Sequence, residues 1–291
     1  MSGLRVWLDG AVLEGSQASV SPLAHGLHYG TGVFEGVRCY ATARGPAVFR
    51  LADHLARMKK GADALGMPFD EAAVTEGVLQ TLRANDLRSA YVRPLSFYEG
   101  GGLGLDVAPL RARHLVAAMP WKSHLGTGPD AGGVRLRTSS FRRNPSSAMP
   151  PLKLCGGYVN SILAKLEATR HGFEEALFVD ARGFVCEATG ENVFMVKGGR
   201  VTAVEHPDAL PGITRATVMA LCGAEARAVT LEELRDADEV FLTGTSAEVA
   251  AVSTLDTREL GVGPVTRALS SLYQAVVHGD AEQGRGWLLH A

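Results

Sequence analysis

Between residues 176 and 204 the chain carries four β-rich runs with no helical stretch between them: Ala176–Val179, Phe184–Glu187, Val193–Val196 and Val201–Val204. Two of the joins, Ala181-Arg182-Gly183 and Lys197-Gly198-Gly199, have the length and glycine content of tight turns between neighbouring strands. A doubly wound parallel sheet needs a helix after nearly every strand, so this block excludes one and points to an α+β protein.

The flanking sequence fits. Asp9-Gly10 between Val6-Trp7-Leu8 and Val12-Leu13 predicts a hairpin. Val33–Tyr40, Ala47–Leu51, Tyr91–Phe97, His114–Met119, Val134–Thr138 and Val240–Thr243 read as strands. Leu55, Met58, Ala62 and Leu65 mark one face of a helix that stops at Gly66, and Asp70 caps a second with Val74, Val78 and Leu82 inward. Further helices are predicted over Tyr158–His171, Thr214–Cys222 and Val265–His278, each closed by glycine, and Thr230-x-x-Glu233 reads as a capping box. Trp121–Gly133 is rich in glycine and poor in apolar residues. It divides the chain into a smaller N-terminal domain (1–122), an interdomain loop (123–132) and a larger β-rich C-terminal domain (133–291).

Lys plus Arg is 29 and Asp plus Glu is 31, a net charge of −2, which removes the electrostatic case for a nucleic-acid binder. Four dispersed cysteines form no CxxC pair, and no signal or membrane-spanning pattern is seen, so a cytoplasmic protein is expected. The nine histidines are scattered without HExxH, so no metal site is expected, and no GxGxxG or GxxxxGK[ST] loop is present.

Chemistry concentrates in a few places. Of six lysines, five fall on predicted polar faces, turns or the loop border; Lys165 is expected to face water, off the Tyr158/Ile162/Leu166 stripe. Lys153 differs, because it lies in the apolar run Pro150–Gly157. Burial disfavours the ammonium form, which is how a lysine is activated as a Schiff-base nucleophile. The plainer alternative is a packed stem with its ammonium in water. Leu210–Arg215 opens a helix whose backbone N–H groups and Thr214 hydroxyl suit an anion, although such a start is often only a capped helix. Thr243–Ser246 adds hydroxyls and flexible backbone, and Arg50 a charge-assisted contact. Glu187 and Glu191 are both candidates to pair with a pyridinium nitrogen, and their spacing does not choose between them.

These blocks resemble a known family. His25-Gly-Leu-His-Tyr-Gly-Thr-Gly-Val-Phe-Glu-Gly-Val-Arg-Cys-Tyr40 is similar to the first motif of the branched-chain amino-acid aminotransferases. Ser89–Leu95, Lys153–Tyr158, Glu187–Phe194, Ala209–Arg215, Ala237–Phe241, Thr243–Glu248, Gly263–Thr266 and Gly286–Leu288 follow in family order across nearly the whole chain. The resemblance implies a two-domain fold-type IV enzyme that uses pyridoxal 5′-phosphate. It also implies ping-pong exchange of an amino group between leucine, isoleucine or valine and 2-oxoglutarate through pyridoxamine phosphate, giving branched-chain 2-oxo acids and L-glutamate. Lys153 is then the Schiff-base and proton-transfer residue, Glu187 the partner of the pyridine nitrogen, and Tyr158 that of the phenolic oxygen. Leu210 packs on the ring, while Arg50, Ile213, Thr214 and Thr245 hold the phosphate.

For substrate, the resemblance assigns Tyr29, Phe34 and Trp121 to an aromatic lining, and Tyr91, Arg93 and the Thr245-Ser246 backbone to the carboxylate side. Tyr29 and Arg93 are the candidates for a polar rim that admits the γ-carboxylate of glutamate. Leu103 and Leu105 match apolar positions that the family takes from a neighbouring subunit, which implies a homodimer or larger homo-oligomer. His124 departs from the pattern, standing where related bacterial enzymes usually carry tyrosine, and is expected to alter pocket polarity. Two other readings keep the fold: a D-amino-acid or (R)-amine transaminase, and a lyase acting on aminodeoxychorismate. A non-catalytic metabolite-binding protein is the third, and the retained Lys153, Glu187 and phosphate set argue against it.

Overall fold

A computed structural model describes residues 3–121 and 132–291. The fold is α+β and forms two compact units. The first takes in the described residues up to 121 together with Leu152–Gly157 and Val277–Ala291; the second comprises the remaining described residues, 132–151 and 158–276. The first unit therefore includes two segments that the sequence-based boundaries assign to the larger domain. The strand Leu288–His290 pairs antiparallel with Gly45–Phe49, and Leu154 bridges to Val33, which returns both segments to the N-terminal sheet.

That sheet has eight strands among the described residues. Its order is Leu288–His290, Gly45–Phe49, Val37–Thr42, Ala90–Glu99, Arg111–Met119, Arg5–Leu8 and Ala11–Glu14, with Gly32–Phe34 also pairing with Ala90–Glu99. The Asp9-Gly10 hairpin forms, with φ of 48° and 98° at its two central residues, the turn that an Asp-Gly pair accommodates. The helices Leu51–Ala64 and Glu71–Ala84 bury Leu55, Met58, Ala62, Val74, Val78 and Leu82 against the strands. Asp70 caps the second helix by accepting from the Ala73 N–H at 3.0 Å.

The single strand expected over Val33–Tyr40 is two, Gly32–Phe34 and Val37–Thr42. The break at Glu35-Gly36 lies opposite Pro94 and Arg93. Pro94 has no N–H to continue the ladder, although its carbonyl still accepts from the Glu35 N–H at 2.9 Å. The end expected at Leu51 is also shifted, because Leu51 already begins the helix.

The second unit holds a nine-stranded mixed sheet among the described residues. Its order is Val185–Ala188, Glu175–Val179, Val134–Thr138, Glu248–Leu255, Glu239–Gly244, Asn192–Lys197, Arg200–Val204 and Glu225–Arg227, with Arg258–Glu259 beside Glu248–Leu255. The four central runs of the opening argument are strands, and both turn-joined pairs are antiparallel. Thr230 and Glu233 form a reciprocal capping box at the start of Leu231–Arg235.

The helix Tyr158–Arg170 is oriented differently from expectation. Its buried residues are the small Ser161, Ala164 and Ala168, against Phe178 and Cys186, whereas Ile162 and Leu166 are 55% and 47% exposed. Lys165 does not simply face water: its Nζ lies 2.7 Å from the buried Glu175 carboxylate. Among the described residues no helix is long and apolar enough to cross a membrane.

Candidate active site

In the first unit, several predicted residues converge on one ring. Lys153 follows Pro150-Pro151-Leu152 and is half-buried, with its carbonyl accepting from the Phe34 N–H at 3.3 Å. Its Nζ stands 4.9 Å from the centre of the Phe34 ring, and the Arg93 guanidinium stands over the same ring at 4.7 Å. Arg93 also donates to Tyr91 Oη at 2.9 Å, and Tyr91 stacks on Trp121 with ring centres 4.7 Å apart. Amine, guanidinium, phenol and two apolar rings are thus assembled from separate segments of chain. Gly36 makes room for this: a Cβ there would lie 1.9 Å from Tyr91 Oη.

Arg50 sits at the N-cap of Leu51–Ala64 with φ 52°, in the left-handed region. Its Nε lies 2.7 Å from Asp53, and its guanidinium covers the Trp287 ring at 5.1 Å. Tyr29 belongs elsewhere in this unit. Its hydroxyl donates to the Leu103 carbonyl at 2.9 Å, and it is 48% exposed. Leu103 is 43% exposed and Leu105 81%.

The second unit holds a buried carboxylate and the start of a helix next to each other. Glu187 is buried at the end of the strand Val185–Ala188. One of its oxygens lies 2.6 Å from Arg143 Nε, and the other accepts from the Leu210 N–H at 2.9 Å. The Leu210 carbonyl accepts in turn from Asn192 Nδ2 at 2.9 Å, and Asn192 is the ladder partner of Thr243. Asn192 thereby sets the Leu210–Thr214 segment beside the Thr243–Ser246 turn. The helix Ile213–Cys222 starts there with no side-chain cap, and the Thr214 side chain is buried at that end. A Cβ on Gly212 would lie 1.9 Å from Asn192 Oδ1, so any larger residue there displaces the Asn192 amide that holds the Leu210 carbonyl. Tyr158 begins the helix Tyr158–Arg170 and is half-buried.

Glu191 is also buried, in a different setting. Burial and the neighbouring Glu175 and Glu187 push its carboxyl up to about 8, against the opposing charge of Lys165. Arg143 and Asn192 escaped sequence reasoning. Arg143 lies in a stretch without periodicity, where nothing local marks one arginine as a site residue. His124 lies outside the described residues, as does the loop around it.

This arrangement defines a class. Residues 32–255 match the family model for class IV amino-transferases, and the chain belongs to that family. It is 38% identical to the branched-chain-amino-acid aminotransferase of Pseudomonas aeruginosa, over 97% of this chain and 95% of that one. It superposes on the T.th. branched-chain amino acid aminotransferase complexed with 4-methylvaleric acid at a TM-score of 0.93 and 41% identity, over 99% and 98% of the two chains. The same enzyme complexed with N-(5′-phosphopyridoxyl)-L-glutamate matches at the same TM-score, identity and coverage.

Proposed function

We propose that the chain catalyses pyridoxal 5′-phosphate-dependent transamination between L-leucine, L-isoleucine or L-valine and 2-oxoglutarate. The observation that carries this reading is the grouping of Lys153 and Arg93 on the two aromatic neighbours Phe34 and Tyr91. A reactive amine beside apolar rings suits an aliphatic side chain, and a guanidinium at their edge suits a carboxylate.

The residues fit the cofactor. The start of Ile213–Cys222, with Gly212 and buried Thr214, suits a phosphate ester together with the Thr245 turn, and the family resemblance assigns Arg50 to the same ester. Glu187, with a cation on one oxygen, suits the pyridine nitrogen; Tyr158 is assigned to the phenolic oxygen and Leu210 to the ring face. When bound, the cofactor supplies the electron sink for charge developing at the substrate Cα. Lys153 Nζ removes the Cα proton. Arg93, Tyr91 and the Thr245-Ser246 backbone orient carboxylate groups, while Phe34 and Trp121 exclude water from the aliphatic side.

The exposed Leu103 and Leu105 support a homodimer in which this edge reaches the neighbouring site. Tyr29 goes with them, because its hydroxyl is held on the Leu103 carbonyl. The four cysteines are free, which supports a reducing, cytoplasmic setting.

The test is an absorbance spectrum of protein loaded with pyridoxal 5′-phosphate, before and after L-leucine, with D-leucine as control. A visible band that bleaches with L-leucine alone and returns with 2-oxoglutarate is expected. A response to D-leucine only, or to neither, overturns the assignment.

A further inference from the structure

The break in the strand at Glu35-Gly36 turns a carboxylate into the protein instead of along the sheet. Glu35 is fully buried, yet it is saturated with donors. Arg57 addresses it with a two-pronged contact, Nε to Oε1 at 2.7 Å and Nη2 to Oε2 at 2.9 Å. His54 Nδ1 lies 2.7 Å from Oε2, and the Gly36 N–H donates to the same oxygen at 3.2 Å. Burial pushes the Glu35 carboxyl up, but Arg57 and His54 outweigh it and hold it well below the usual carboxylate range. An ionised carboxylate only accepts, so the proton of His54 is on Nδ1. Burial keeps His54 neutral against the pull of Glu35, and the charges of Arg57 and Lys153 act in the same direction as burial.

The position of this cluster gives it a task beyond stability. Glu35 is the residue after Phe34, whose ring meets both Lys153 and Arg93 and whose N–H is bound by the Lys153 carbonyl. His54 and Arg57 lie in the first two turns of the helix that Arg50 caps, and the His54 N–H donates to the Arg50 carbonyl at 3.2 Å. One buried carboxylate therefore ties the segment that carries Phe34 and contacts Lys153 to the helix start that carries Arg50. We infer that Glu35, His54 and Arg57 are positioning residues that fix the spacing between the Lys153 amine and the Arg50 guanidinium, the two groups of this unit assigned to the aldehyde carbon and to the phosphate of the cofactor. The inference rests on the cofactor reading above. The cluster suits such a role because its charges cancel internally: Arg57 neutralises Glu35, and His54 adds a directional hydrogen bond without adding a second cation beside Lys153.

The experiment compares Glu35→Gln, His54→Ala and His54→Asn with the parent protein. It measures the dissociation constant of pyridoxal 5′-phosphate from each apo-protein, then kcat and KM with L-leucine, alongside thermal unfolding. Glu35→Gln and His54→Ala are expected to weaken cofactor binding by about tenfold or more, the scale of a lost hydrogen bond to a charged group. They lower kcat while leaving KM for leucine within about twofold, because the rings that meet the side chain are kept. His54→Asn, whose amide N–H can reach the same oxygen, restores most of both losses. Variants that unfold at lower temperature but keep the parent's cofactor affinity and kcat reduce the cluster to a core element and overturn the proposal. If Glu35→Gln does not fold, the two His54 variants decide: equal affinity and equal kcat for Ala and Asn overturn it. A parent that forms no visible band with the cofactor fails before any variant is made, and removes both this proposal and the reading beneath it.

Discussion

Arg143 Nε lies 2.6 Å from Glu187 Oε1, with the two side chains only 12% and 7% exposed. Removing one partner of such a pair leaves a buried charge uncompensated, at a cost of about 3–5 kcal/mol. Arg143→Ala is therefore expected to lower the unfolding temperature clearly and to loosen pyridoxal 5′-phosphate, because the carboxylate assigned to its ring nitrogen loses its anchor. Arg143→Lys keeps the charge but not the planar fork and should fall between. Thermal unfolding with and without cofactor checks this; an Arg143→Ala protein within about 1 °C of the parent in both states would contradict it.

Tyr91 has a narrower task. Its hydroxyl receives the Arg93 Nη2 hydrogen bond, while its ring stacks on Trp121 with the two planes inclined by 29°. Tyr91→Phe keeps the stack and removes the acceptor, a loss of roughly 1 kcal/mol, or about fivefold in kcat/KM. Both substrate classes should suffer, glutamate more than leucine if Arg93 serves its second carboxylate. Gly36→Ala should be worse than Tyr91→Phe, because its methyl would lie 1.9 Å from that hydroxyl and displace the ring itself. Steady-state kinetics with leucine and with glutamate test the order; a Gly36→Ala protein as active as the parent would sink it.

The parts legible in the sequence are those with a local cause. The Asp9-Gly10 hairpin, the Asp70 cap and the Thr230/Glu233 box each depend on residues a few positions apart, and each forms as read. The break at Glu35 does not have a local cause: it depends on Pro94 in a distant strand, so an apolar run read as one strand. The helix Tyr158–Arg170 misled for another reason. Periodicity finds an apolar face, and an exposed apolar face has the same period as one turned to a core, while small Ala164 and Ala168 lie against the sheet. Of the proposed site, the motif residues were visible as blocks. Their supports, Arg143 and the Glu35–His54–Arg57 cluster, act only through partners that folding brings near.

The Glu175–Glu191 pair gives a pH prediction. Both carboxylates are buried; Lys165 and the Thr189 hydroxyl serve Glu175, and Glu191 has the neighbouring Gly190 N–H at 3.2 Å. With the Glu191 carboxyl raised from 4.5 to about 8, the folded protein holds a proton that the unfolded chain releases between those values. Stability from this group is then full below about pH 4.5 and lost as pH rises towards 8. Glu191→Gln cannot release that proton and should not show the loss. Unfolding temperatures of the two proteins between about pH 5 and 8.5 are expected to diverge in favour of the variant by at least about 2 °C. A constant gap across that range rules the effect out.

Leu105 gives the strongest test of a shared site. At 81% exposed it contributes little to its own subunit's core, so Leu105→Asp should leave the fold intact. If Leu105 lines the neighbour's pocket, the variant loses affinity for leucine even though Phe34, Tyr91 and Arg93 of the same chain are untouched. Mixed dimers of Lys153→Ala and Leu105→Asp subunits, co-expressed with different tags and isolated through both, distinguish the alternatives. Acting across the interface, the Lys153→Ala subunit lends its intact Leu105 to the site that keeps Lys153. One of the two sites is then whole, and about half of the parent's activity per dimer returns. Acting within its own chain, Leu105→Asp damages the only site with a working lysine, and the mixed dimer is no better than the Leu105→Asp protein. Sedimentation of each sample beforehand establishes that dimers are being compared, and a monomeric parent would end the shared-site model at that step.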